Sequence, residues 1–75
     1  MNKADKKRLR GLIYDLSYIA EELSEMATNE TDKVDNMPEG LQESEQAMAM
    51  QDAADVMDDA CDDIQCVISD LEDLL

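Results

Sequence analysis

Apolar residues recur at helical spacing in two segments of the chain, and this repetition constrains the fold more than any other feature. In the first half the intervals are 3, 4, 3, 4 and 3, over Leu9, Leu12, Leu16, Ile19, Leu23 and Met26. In the second half the same intervals run through Met50, Ala53, Met57, Ala60, Ile64, Val67, Leu71 and Leu74. Extra apolar residues follow alternate members, namely Ile13, Ala20, Ala27, Ala54, Cys61, Ile68 and Leu75. With Leu9 and Met50 at heptad position a, rows a, d and e are apolar, which is typical of a bundle helix.

The two periodic segments are separated by the polar stretch NETDKVDNMPEG, which contains the only proline of the chain. The residue before Pro38 is disfavoured in helical geometry. Asn36 followed by Glu39 fits a capping box at the start of a second helix. The sequence therefore predicts one domain over residues 1–75, with helix 1 at about 4–33, a linker at about 34–37 and helix 2 at about 37–74.

A short connection makes two consecutive helices antiparallel neighbours, so the predicted fold is an all-α, antiparallel two-helix hairpin. The termini favour this arrangement, because five bases begin helix 1 while Asp70, Glu72 and Asp73 end helix 2. Two helices cannot cover three apolar rows, and we expect either a homodimeric four-helix bundle or a hairpin docked on another protein. The predicted dimer or core interface comprises Leu12, Leu16, Ile19, Leu23, Met50, Met57, Ile64, Val67 and Leu71.

Charge restricts the partners that the chain can bind. The formal net charge is −14, from 20 acidic and 6 basic residues. Direct nucleic-acid binding requires a basic surface, and an anionic membrane would repel this chain. No apolar run is long enough to span a bilayer and no signal-peptide core is present, so we expect a cytoplasmic protein. A basic groove of a nucleic-acid-binding protein is the partner that the charge favours.

Nothing in the sequence predicts an enzyme, a metal site or a cofactor. Histidine is absent, and Cys61 and Cys66 lack the spacing of a zinc or redox motif. We expect both to be free thiols. Tyr14 and Tyr18 fall outside the three apolar rows and are interpreted either as a contact patch or as residues that flank a core.

The densest acidic segment is QDAADVMDDACDDIQ, residues 51–65, which contains six aspartates and no base. These residues, called the acidic strip below, are Asp52, Asp55, Asp58, Asp59, Asp62 and Asp63. All six fall outside rows a, d and e. Like charges four residues apart destabilise a helix, and aspartate is a poor helix former, so a strip of this kind carries a cost in stability. It is interpreted either as a solvated face or as a nucleic-acid mimic that binds a basic groove.

The segment NMPEGLQESEQ and the acidic helix ending in ISDLEDLL resemble a group of short helical proteins from phages and mobile elements of Gram-positive bacteria. The resemblance covers residues 36–75. It implies a phage accessory role in a bacterial host cell, such as inhibition of a CRISPR effector or a restriction enzyme. The sequence-based hypothesis is thus a non-enzymatic acidic inhibitor. The alternative is a small structural or adaptor coiled-coil protein that acts through its apolar stripe.

Overall fold

The computed structural model describes the whole chain, Met1–Leu75, as two long helices without β-strands. Helix α1 spans Lys3–Asp35 and helix α2 spans Glu45–Glu72. The molecule measures 59 × 14 × 12 Å, close to the length of α1 alone, so the helices lie side by side rather than end to end. The prediction of an all-α helical hairpin is confirmed.

Helix α1 begins and ends with ordinary capping interactions. The Asn2 side chain accepts a hydrogen bond from the Asp5 amide at 2.8 Å and caps the first turn. At the other end, Lys33 forms an ion pair with Glu30, with 2.6 Å between Nζ and Oε1. The Asn36 backbone amide donates to carbonyls of the last turn. Asn36 therefore terminates α1.

The predicted start of helix 2 at about residue 37 is wrong, because α2 begins at Glu45. Ser44 is its N-cap, and the Ser44 hydroxyl accepts a hydrogen bond from the Ala47 amide at 3.2 Å. Pro38 instead precedes a short 3₁₀ turn, Glu39–Leu41, closed by a bond from the Leu41 amide to the Pro38 carbonyl. This turn satisfies the backbone locally, so the Asn36 to Glu39 pattern does not have to act as a cap.

The helices contact each other through rows a and e, whereas the apolar residues of row d are exposed, except for the half-buried Ala60. The buried residues are Ala20, Ala27, Ala47, Ala54 and Ile68, all at position e. Position a supplies half-buried partners, which are Leu9, Leu16, Leu23, Met50, Met57, Ile64 and Leu71. We call this contact the seam. The predicted interface residues Leu12, Ile19 and Val67 lie outside it, each about half exposed.

The seam provides a small core for a chain of this length. Only 5 of 75 residues are buried, and Ile68 is the only one larger than alanine. Alanines at the contact allow the helix backbones to approach closely, which improves dispersion contacts but removes little apolar area from water. The hairpin alone therefore has limited means of stabilising itself.

The basic start of α1 and the acidic end of α2 lie at the same end of the hairpin, as the antiparallel arrangement requires. No ion pair joins them, because the Lys33–Glu30 pair is the only one in the structure. Their attraction is thus a longer-range one between solvated charges, and salt weakens it. Neither helix combines the length and the apolar character that crossing a bilayer requires.

Candidate functional site

All six side chains of the acidic strip are exposed on α2. Counting 100° per residue, they occupy heptad positions b, c, f and g, an arc of about 140° on the side facing away from α1. Their one hydrogen bond to another side chain is from the Gln51 amide nitrogen to Asp55 Oδ1, at 3.1 Å. From Asp52 to Asp63 the strip extends about 16 Å along the helix axis. It forms a continuous acidic surface that solvent can reach.

The surroundings do not neutralise the strip. Helix α2 carries nine acidic residues and no basic one, whereas α1 carries eight acidic residues and all six bases of the chain. The formal charge is therefore −9 on α2 and −2 on α1. Five of those bases lie in the first ten residues, level with the end of α2 and beyond the strip. The strip is held on a rigid helix with its charge available to an external cation or basic surface.

Row d forms a second continuous surface, which we call the uncovered face. Its members are Leu12, Ile19 and Met26 on α1 and Ala53, Ala60, Val67 and Leu74 on α2. The five larger side chains are between 46% and 55% exposed. Their exposure leaves a row of apolar groups in water over about 31 Å, roughly half of the 59 Å length of the rod, which is typical of an interaction surface.

The two halves of the uncovered face lie on the same side of the hairpin. Each helix turns positions a and e toward the other, and position d then lies on one flank of each contact. In an antiparallel pair, equivalent flanks of the two helices fall on the same side. Counting equal rise from the connection places Leu12 level with Val67, Ile19 with Ala60 and Met26 with Ala53. The face is thus a ladder of three apolar rungs, each formed by one residue of α1 and the residue of α2 at the same level.

Tyr14 and Tyr18 do not flank the seam, because both are largely exposed. The neighbouring Glu22 carboxylate raises the pKa of the Tyr18 hydroxyl, first by hydrogen bonding and then by its charge, with slight desolvation and Glu25 acting in the same direction. The folded chain holds this proton more tightly than the unfolded chain. The Tyr18–Glu22 interaction therefore stabilises the fold below a pH of about 10, and this contribution is lost above it. Tyr18 is therefore a neutral hydroxyl at physiological pH.

The remaining candidates do not assemble a chemical site. Cys61 is half-buried in the seam, Cys66 is exposed, and both are free thiols. The surface has no pocket, and no group of three or more His, Cys, Asp or Glu side chains is arranged to hold a metal ion. What the structure offers is two extended surfaces, one acidic and one apolar.

Comparison with protein-family models, curated proteins and solved structures finds no match to this chain.

Sequence reasoning located the acidic strip but did not separate the uncovered face from the seam. Periodicity alone does not show which of rows d and e is buried, because both lie next to row a on the same apolar stripe. One signal could have separated them on α1, where e has Ala20 and Ala27 but d has Leu, Ile and Met; on α2 both rows contain alanines. Small residues mark the row where two helices approach most closely.

Proposed function

We propose that the chain is a non-enzymatic acidic binding protein that acts as a homodimeric four-helix bundle. It inhibits a nucleic-acid-handling enzyme of bacterial defence by placing the acidic strip in that enzyme's basic groove. The observation that carries this proposal is the strip itself: six exposed carboxylates on one helix, without a single base nearby.

The density of charge supports mimicry of a nucleic acid. Six carboxylates over about 16 Å give one negative charge per roughly 2.7 Å of axis, between the 3.4 Å of one DNA strand and the 1.7 Å of the duplex. A groove that binds phosphates by lysine and arginine would meet a comparable field on α2. Such binding is electrostatic and should weaken as salt rises.

The proposed dimer follows from the uncovered face and the small seam. A hairpin with one buried side chain larger than alanine gains stability if its exposed apolar row is covered. A two-fold pairing of hairpins covers the face on both copies at once.

The test is inhibition of DNA cleavage by purified CRISPR effector nucleases and restriction endonucleases, at low and high salt. We expect the wild-type chain to inhibit at least one of them, less so as salt rises. Changing all six strip aspartates to asparagine should abolish inhibition while the helical fold survives or gains stability, because the like-charge pairs disappear.

A matched control removes the same number of charges from α1. The acids to be changed to amides are Asp15, Glu21, Glu22, Glu25, Asp32 and Asp35. This control has the same formal charge as the strip variant and should still inhibit. Equal inhibition by the strip variant and wild type, or inhibition of no enzyme in the panel, contradicts the mimic.

The uncovered face favours a second candidate, a structural or adaptor protein whose working surface is apolar. Substitutions at Met57 or Ile64 would not test it cleanly, because both residues belong to the seam and polar groups there would open the hairpin. The double variant Leu12→Gln/Ile19→Gln tests it on the exposed row. An adaptor should lose partner binding in this variant and keep it in the six-asparagine variant, whereas the mimic should lose inhibition in the six-asparagine variant.

A further inference from the structure

We infer that the uncovered face binds a second copy of the chain in one specific arrangement: the two hairpins lie parallel, and α1 of each copy packs against α2 of the other at the same level. This inference rests on the dimer in the proposed function and adds its geometry. The two-fold axis then runs along the length of the bundle, and every helix has antiparallel neighbours.

The sizes of the side chains on the face are the first argument. On α1 the face carries Ile19 and Met26, and at the same levels on α2 it carries only Ala60 and Ala53. In the parallel arrangement these two large side chains of one copy each meet an alanine of the other, while Leu12 meets Val67. If the second copy were turned end over end, α1 would face α1 and α2 would face α2. Ile19 would then meet Ile19 and Leu12 would meet Met26, while a gap would remain where Ala60 of one copy meets Ala60 of the other.

Charge is the second argument and favours the same arrangement. The formal charge is −9 on α2 and −2 on α1, which carries all six bases. The end-over-end arrangement would make two α2 helices direct neighbours, whereas the parallel arrangement places them diagonally, each between two α1 helices. Like charges at close range oppose association, so the separation of the α2 helices is favoured.

The rim of the proposed interface contains one favourable and one unfavourable pair. At position g, Arg8 of one copy is level with Asp70 of the other, and Asp15 is level with Asp63. All four residues are exposed, and single ion pairs in solvent contribute little. The sum over whole helices and the fit of the apolar rungs therefore decide the arrangement.

The available area is sufficient for a stable dimer. The whole side of the hairpin, 59 by 14 Å, has a projected area of roughly 800 Å², which matches the area that each partner buries in an interface of standard size. The apolar rungs lie along its centre. Polar residues bound it, with Lys33 and Gln46 at the connection and Asp5 at the opposite end.

The arrangement has a consequence for the acidic strips. Because the two α2 helices are diagonal, their outer surfaces face opposite directions, and the strip residues other than Asp63 at the rim stay uncovered. The dimer therefore presents two separate acidic surfaces, and binds two copies of a basic partner rather than one.

Sedimentation equilibrium of the full chain is the first part of the test. We expect twice the chain mass of 8.4 kDa. The double variant Leu12→Gln/Ile19→Gln should sediment as a monomer. The control Tyr14→Gln/Met48→Gln should remain a dimer, because it changes two side chains on the opposite face, both more exposed than Leu12 and Ile19. A monomeric wild type overturns the dimer itself, and a dimeric Leu12→Gln/Ile19→Gln variant overturns the choice of face.

Disulfide trapping between chains of different mass then tests the arrangement. Both chains carry Cys61→Ala and Cys66→Ser. One mixture pairs Leu12→Cys with Val67→Cys, and the other pairs Leu12→Cys with Met26→Cys. The parallel arrangement brings position 12 of one copy next to position 67 of the other, but leaves positions 12 and 26 about 21 Å apart along the axis, too far for a disulfide.

We expect a mixed disulfide in the first mixture and none in the second. The reverse result indicates the end-over-end dimer and overturns the inference while leaving the proposed dimer intact. A dimer that forms neither disulfide also overturns it, because the uncovered face would then lie outside the interface.

Discussion

The seam and the uncovered face are built from the same kinds of residues at the same periodicity, yet the hairpin buries one and exposes the other. The seam pairs half-buried residues such as Leu16 and Met57 with buried alanines. The uncovered face carries larger side chains on α1, about half exposed. The difference indicates that close approach of the backbones, rather than the amount of apolar surface, selects the row that two helices share.

The largest effect should separate two adjacent residues, one on each surface. Ile68→Asp buries a charge without a partner in the seam and should cost at least about 3 kcal/mol in the free energy of unfolding. Val67→Asp places the same charge on the uncovered face and should reduce only the part of the stability that increases with protein concentration. Urea unfolding followed by circular dichroism, repeated at several protein concentrations, measures the loss of stability in both variants. Equal losses of stability in the two variants at every protein concentration would contradict the assignment of Ile68 to the seam and Val67 to the uncovered face.

A smaller effect should separate two adjacent alanines. Ala54→Leu adds volume to the seam and should destabilise the hairpin by about 1–3 kcal/mol through overpacking. Ala53→Leu adds the same volume to the uncovered face, where the hairpin itself leaves space. Thermal unfolding at low protein concentration should therefore show a decrease in Tm for Ala54→Leu and almost none for Ala53→Leu. If Ala53→Leu gives the greater decrease at low concentration, the assignment of the rows is wrong.

The smallest effect concerns the N-cap of α2. This cap fixes the residue at which α2 begins, and therefore where its contribution to the seam begins. Ser44→Ala removes the hydroxyl that accepts from the Ala47 amide and should cost about 1 kcal/mol. Asn36→Ala should cost less, because no hydrogen bond involves the Asn36 side chain. Chemical unfolding of the two variants measures the difference. A greater cost at Asn36 would move the start of α2 back toward Pro38.

The sequence predicted the elements of this fold better than their contact. The two helices follow from heptad spacing that continues without a skip, and the hairpin follows from a short polar connection with one proline. The start of α2 was misplaced by eight residues, because Asn36 and Ser44 both fit a cap and only the geometry of the connection distinguishes them. The exposure of the acidic strip follows from the sequence, since it depends only on position around one helix.

By itself, the sequence determined that this chain forms two amphipathic helices, that it carries a dense acidic surface on the second, and that its apolar stripe is wider than one neighbour can cover. Only the tertiary structure decided that rows a and e form the seam, that row d stays largely exposed, and that Ser44 is the N-cap of α2. The physical reason is that periodicity specifies directions around a helix axis. Which of those directions is buried depends on how closely two particular backbones can approach, and that depends on pairs of residues far apart in the sequence.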